Sequence, residues 1–202
     1  MTQNVIDQRY TMTKKYHTET LQKAIDEKKA DEIIIPFLLE ITKIPDVFTS
    51  SSCAGRIMLL STDEYENKRI SSFHKKYHRT VSFDELKKDL EESTDYDIWL
   101  KMESFIFHFG AKDYDKAKDL LAFSQNFGLK KAGIITAKDG KYILEVTNTQ
   151  YLALPIKIKN KIIVSDDYLK LIVDRSNSKL ELNYKRLKEF ENKFLKEFKK
   201  QT

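Results

Sequence analysis

The sequence predicts an α+β fold, and three observations carry that prediction. Short apolar runs at strand spacing recur along the chain, runs at helical spacing lie between them, and everything after Ser165 is one helical pattern without Gly or Pro. Strand pairs alternate with helices in both halves, the pattern of a duplicated β-rich unit, although no sequence repeat of fixed period accompanies it. The five glycines, Gly55, Gly110, Gly128, Gly133 and Gly140, allow neither a G-x-G-x-x-G fingerprint nor a P-loop. A doubly wound dinucleotide-binding sheet is therefore excluded as the expected architecture.

At 202 residues and 41% hydrophobic content, the chain is expected to form a single domain. Residues 1–45 form its helical N-terminus, 46–164 a sheet with crossover helices, and 165–202 a C-terminal helical segment. No run of 18 apolar residues and no charged-then-apolar leader is present, so neither a membrane span nor a secretory signal is expected, and the location predicted is cytoplasmic. One cysteine, Cys53, excludes an internal disulfide framework.

The first helix is expected from Tyr10 to about Lys29, polar with a thin apolar stripe of Tyr10, His17, Leu21, Ala24 and Ile25. Asp31 can cap the next helix, which carries Ile33, Ile34, Phe37, Leu38 and Ile41 and tolerates Pro36 only in its first turn. Val47–Thr49 and Ile57–Leu60 have strand character, so the polar run between them is expected at the tip or edge of a hairpin-like turn. A strand from Ile70 to Lys75 bears His74. Ser82 and Glu85 stand at capping-box spacing and open a short helix. Tyr96 to Gly110 is the most apolar stretch, predicted as a central strand with a bend or bulge near Ser104. Asp113 caps a helix that Gly128 ends. Asp139-Gly140 joins the hairpin 133–137 and 142–146. Strands at 151–156 and 162–164 follow, and Ser165 caps a final helix or helix pair running to about Lys199, whose seam is Leu180, Tyr184, Leu187, Phe194 and Phe198.

Chemistry concentrates in Ser50-Ser51-Ser52-Cys53-Ala54-Gly55-Arg56, where three hydroxyls, a thiol and a guanidinium stand together. Two readings fit. The hydroxyls, backbone N–H groups and the Arg56 fork suit a carboxylate or phosphate, or the run is a turn whose hydroxyls satisfy their own backbone. Glu103 lies inside an apolar strand, so it needs a partner or a polar site, and Arg56 is one candidate. By position, His108 reads as a hydrogen-bonded core histidine. His74, His78, His108 and Cys53 lack the paired spacing of a structural zinc site, so no metal is expected. The net charge is +5, and from Lys179 onward eight Lys/Arg oppose four Glu. Such a segment can follow a phosphate backbone or form a solvated helix face.

The ordered motifs Thr49–Ile57, Phe73-His74-Lys75, Lys101–His108, Ala132-Gly133-Ile134 and Asn177-Ser178-Lys179-Leu180 resemble the tRNA wybutosine-synthesizing protein 3 family over almost the whole chain from Arg9. The resemblance implies duplicated β-rich units curled into a barrel-like mixed sheet flanked by helices. It also implies an S-adenosylmethionine-dependent enzyme that methylates N4 of 7-(3-amino-3-carboxypropyl)-4-demethylwyosine at position 37 of tRNA(Phe). On that reading Ser51, Ser52, Cys53, Gly55 and Arg56 hold the cofactor. Glu103 and His108 are catalytic, accepting the ring proton or orienting the base. His74, Gly133 and Asn177 contact substrate, and the partner is the anticodon loop of tRNA(Phe), with no membrane or protein partner implied. Thr147-Asn148-Thr149 stands where the family carries an Arg-Ser pair. The competing reading from the residues is a non-catalytic RNA-binding module whose Ser/Arg turn grips phosphate.

Overall fold

The computed structural model describes residues 2–199. Lys200, counted above in the basic tail, lies outside them. Five α-helices and seven strands follow in the order α1 (Gln3–Asp26), α2 (Ile35–Thr42), β1 (Val47–Thr62), β2 (Ser72–Tyr77), α3 (Phe83–Glu91), β3 (Asp97–Ala111), α4 (Tyr114–Asn126), β4 (Gly133–Lys138), β5 (Lys141–Thr147), β6 (Tyr151–Ile158), β7 (Lys161–Ile162) and α5 (Asp166–Phe198). A 3-10 turn, Glu32–Ile34, precedes α2. Strand pairing follows one open path, β2-β1-β3-β5-β4, with β6 on β3 and β7 on β6. The pairs β1–β2, β3–β5, β3–β6, β4–β5 and β6–β7 are antiparallel. The α+β class and the long C-terminal helix hold. The barrel-like mixed sheet implied by the resemblance is, in its hydrogen bonding, an open antiparallel sheet whose path ends at β2 and β4 without closing.

Local signals explain most boundaries. Ser82 and Asp113 accept N-cap hydrogen bonds from the Glu85 and Lys116 backbone N–H groups. Pro36 sits at the first turn of α2, where its missing N–H leaves no bond unmade. Asp139-Gly140 turns β4 into β5, with Gly140 at φ +76°, as the dipeptide predicts. A hairpin tip at Ser50–Arg56 does not form. β1 runs straight through the run, Gly55 takes φ 96°, and side chains supply the bonds a turn would have made. The Asp31 carboxylate accepts from the Ala54 N–H at 2.7 Å, and the Tyr184 hydroxyl donates to the Gly55 carbonyl at 3.2 Å.

The chain divides into two compact units, Met1–Ala54 with Phe105–Thr149 and Arg186–Thr202, and Gly55–Ser104 with Gln150–Lys185. In the first, Phe37, Phe107, Phe109, Phe190 and Phe194 pack edge-to-face and stacked at centroid separations of 4.9–6.4 Å. Gly110 belongs to this packing, because a Cβ there would run into the Phe48 ring. The second unit has an aliphatic core of Ile57, Leu59, Leu86, Leu90, Ile98, Leu100, Met102, Ile156, Leu169, Ile172, Val173 and Leu180, with Tyr77 and Val81. Lys157, 2% exposed, donates to the Leu90 and Glu92 carbonyls at the end of α3, and burial lowers its pKa.

β3 serves both cores. Ile98, Leu100 and Met102 are buried in the second unit, and Phe105, Phe107 and Phe109 in the first, so the large buried apolar side chains change from even to odd numbers. Register accounts for the irregularity expected near Ser104. Glu103 pairs with Tyr151 and Ile106 with Thr147, so the added residue falls on the partner, within 148–150, and not on β3 itself.

Candidate functional site

The Ser-rich run borders a cleft in the first unit. Its volume is about 190 Å³, and Ser50, Ser51 and Ser52 line it together with Thr49, His17, Thr20, Lys29 and Asp31. Leu21, Ala24, Ile34 and Leu38 make the apolar part of the wall. Thr49 Oγ1 and Ser52 Oγ are 2.8 Å apart, which fixes one hydroxyl pair, while Ser51 is exposed. His17 stacks on Phe48 at 5.1 Å with 8° between ring planes. Burial, with the Lys141 charge, holds its imidazole below the usual pKa, so the ring is neutral at pH 7. Hydroxyls beside aliphatic side chains, with the Lys29 ammonium at the wall 2.7 Å from Glu27 Oε2, suit an amphipathic ligand whose carboxylate would compete with Glu27 for that ammonium. Cys53, half-buried, follows on the same strand.

In the second unit, Arg56 meets Glu103, its Nη2 donating to Oε2 at 3.2 Å. This is the partnership the buried-strand carboxylate requires. The guanidinium carbon also lies 4.8 Å from the centroid of the Phe73 ring. Arg56 Nε is buried with no hydrogen-bond partner among the described residues, an orphaned donor of the kind a ligand oxygen satisfies. His74 is held by the Asp89 carbonyl, 2.7 Å from its Nε2, with the Glu92 carboxylate at 3.7 Å. The Asn177 amide bridges the Val81 backbone, accepting from its N–H at 3.0 Å and donating to its carbonyl at 2.8 Å.

A row across three strands of the first unit brings His108 and Gly133 together. His108 pairs with Glu145, and Gly133 pairs with Glu145 on the other edge of β5. His108 Nε2 lies 2.9 Å from Glu145 Oε2, and a Cβ added to Gly133 would meet nothing within 4 Å. The row therefore has a histidine oriented by a carboxylate and an open place beside them. Glu145 escaped the sequence reading, as did the cleft-facing roles of His17 and Lys29. His17 was visible only as part of a surface stripe. Glu145 was hidden because its place opposite His108 is set by the register between β3 and β5, which no local turn joins, and a register shift between Ile134 and Thr136 displaces by one residue the Gly133 pairing that the Asp139-Gly140 turn alone dictates.

The family described as Methyltransferase TYW3 matches residues 7–196. A Pyrococcus abyssi protein named tRNA(Phe) 7-((3-amino-3-carboxypropyl)-4-demethylwyosine(37)-N(4))-methyltransferase 1 is 32% identical over 91% of this chain and 95% of its own length. A Methanocaldococcus jannaschii protein of the corresponding name is 36% identical over 83% of this chain and 87% of its own. Among solved structures, the PH1069 protein of Pyrococcus horikoshii superposes with a TM-score of 0.86 at 29% identity, covering 92% of this chain and 96% of that one. A hypothetical protein from Aeropyrum pernix superposes with a TM-score of 0.69 at 26% identity, covering 81% of this chain and 96% of that one. The chain belongs to the Methyltransferase TYW3 family.

Proposed function

We propose that this chain is an S-adenosylmethionine-dependent tRNA methyltransferase. Its substrate on this reading is tRNA(Phe) carrying 7-(3-amino-3-carboxypropyl)-4-demethylwyosine at position 37, recognised through the anticodon loop and methylated at N4. The observation that carries the reading is the end-to-end similarity to relatives bearing that name. The cleft supports it, because its wall matches the amphipathic character of the methyl donor. Ser51, Ser52 and Lys29 would hold the methionine carboxylate, and the apolar wall at Leu21, Ala24, Ile34 and Leu38 would take the adenine ring. Cys53, Gly55 and Arg56 continue the strand, with Arg56 Nε offering an unused donor. When bound, S-adenosylmethionine supplies an electrophilic methyl group on a sulfonium.

The protein's own part is then chiefly positioning, because an in-line displacement depends on holding nucleophile and methyl carbon at attack distance. N4 must also lose its proton. His108, oriented by Glu145 through Nε2, can accept it at Nδ1. Glu103 balances the Arg56 charge and is the second candidate acceptor. Gly133 leaves room beside His108, and His74 and Asn177 fix the elements on which the substrate surface rests.

Calorimetric titration with S-adenosylmethionine tests the cofactor assignment. Binding in the micromolar range that weakens in Ser51→Ala and Lys29→Ala supports the cleft. Binding that neither substitution alters places the donor elsewhere. An absence of donor binding with tRNA affinity intact favours the non-catalytic RNA-binding reading.

A further inference from the structure

Phe73 is unusual among the phenylalanines of this chain. Its ring is 46% exposed, yet two cations lie over it, the Arg56 guanidinium at 4.8 Å and Lys76 Nζ at 4.9 Å from the centroid. Register explains the meeting. Phe73 pairs with Leu60 and Lys75 with Leu59, so β2 carries one extra residue at His74, and the bulge returns Phe73 and Lys76 to one face. Arg56 projects from the neighbouring strand β1, and Glu103 holds it in place. The strand that carries Phe73 is an end of the pairing path, so its outer backbone edge has no neighbouring strand among the described residues.

Core packing does not account for an aromatic ring in this position. It contributes little buried area to its own unit, whose core is aliphatic. An electron-rich ring with cations at hand offers instead both halves of what an unpaired nucleotide presents, a flat base and a phosphate. Arg56 is fixed by an ion pair, whereas Lys76 is exposed on a flexible stem. Lys76 can therefore exchange the ring for a phosphate oxygen and free the ring for stacking.

We infer that β2 is an RNA-docking strand and that Phe73 is the platform on which one unpaired base of the tRNA substrate stacks, Lys76 binding the adjoining phosphate. This rests on the tRNA reading above and adds to it the element that receives the single-stranded loop. A protein surface or a second copy of the chain could cover the same ring, but neither uses the flanking cations as a nucleotide does.

The test is fluorescence anisotropy with labelled tRNA(Phe) on the full chain and three variants. Phe73→Leu keeps an apolar side chain but loses the π face, and its affinity should fall roughly 5- to 150-fold. Phe73→Trp should bind at least as tightly as the parent. Lys76→Ala should weaken binding and lower the slope of log affinity against log salt by about 1. The melting temperature should stay unchanged in Phe73→Leu, since the ring lies outside the core. Parental tRNA affinity and turnover in both Phe73→Leu and Lys76→Ala would overturn the platform while leaving the methyltransferase reading standing. A parent chain that binds no tRNA would overturn both. Concentration-dependent self-association lost in Phe73→Leu, with tRNA affinity unchanged, would assign the ring to a contact between copies and overturn the inference.

Discussion

The unit made of residues 1–54, 105–149 and 186–202 fills its interior with aromatic rings, whereas the unit of residues 55–104 and 150–185 fills its own with Leu, Ile, Val and Met. Of 12 phenylalanines only Phe73 and Phe83 belong to the second unit, and neither is fully buried. Rings are rigid and interlock at defined angles, so the aromatic unit is less able to collapse around a missing side chain. Aliphatic side chains shift more readily between rotamers. The difference extends to the proposed sites. The cleft that suits the methyl donor belongs to the aromatic unit, and the exposed ring that suits a base belongs to the aliphatic one. Between them in sequence, β3 changes the parity of its buried residues at Glu103 and Ser104, where the change leaves two successive half-buried positions. Polar residues can occupy a strand interior there, and Glu103 is one of those proposed to act.

Four experiments would break or sharpen this contrast. Deleting Ser104 should have the largest effect, because Ile98, Leu100, Met102 and the three phenylalanines would then fall on one parity and one core would lose its side chains. Loss of the cooperative melting transition is expected. A deletion variant melting cooperatively near the parent temperature would show that β3 absorbs the change. Next, Phe190→Ala should cost about 3–5 kcal/mol and Leu100→Ala about 2–5 kcal/mol, with Phe190→Ala the larger if the aromatic unit relaxes less. Native-state hydrogen exchange would locate each loss in its own unit. Equal losses spread over both units would dissolve the distinction.

Gly110→Ala should follow at about 1–3 kcal/mol, as its Cβ displaces the Phe48 ring. Pairing it with Phe48→Leu should recover part of the loss, a coupling that denaturant unfolding of the double variant measures. The smallest effect should come from Glu191, 4% exposed on α5. Burial raises its carboxyl above the ordinary 4.5, partly offset by the Lys188 ammonium. A raised folded-state pKa means that its contribution to stability is complete below the unfolded value and is lost as pH rises through the folded one. Glu191→Gln should therefore match the parent in acid and become the more stable form toward neutral pH. Melting curves at several pH values would check it, and a difference that shrinks as pH rises would reverse the assignment.

The Ser82 and Asp113 caps, the Asp139-Gly140 hairpin and the apolar stretch that became β3 were legible because each rests on a residue acting within a few positions of itself, whereas Asp31, expected as a cap, makes no side-chain cap bond and accepts from the distant Ala54 N–H. The straight passage of β1 through Ser50–Arg56 was not legible. It depends on Asp31 and Tyr184, distant in sequence, supplying bonds that a local reading assigns to a turn. The turn between β6 and β7 was also hidden, since Lys159 and Asn160 both adopt positive φ without a glycine. At the site, the Arg56–Glu103 partnership followed from the cost of an unpaired carboxylate in a strand. Glu145 did not, because its place beside His108 depends on the register between β3 and β5, two strands that no local turn joins. The exposure of Phe73 likewise needed the bulge at His74.

The most direct test of the whole account is methyl transfer itself. The purified chain would be incubated with S-adenosylmethionine labelled in its methyl group and tRNA(Phe) bearing the 4-demethylwyosine derivative, alongside Arg56→Ala and His108→Ala. The account predicts label in the N4-methylated nucleoside with the parent chain, and a loss of order 100-fold with Arg56→Ala as a charged, partly buried contact disappears. Label absent from that nucleoside, although donor and tRNA both bind, would contradict it.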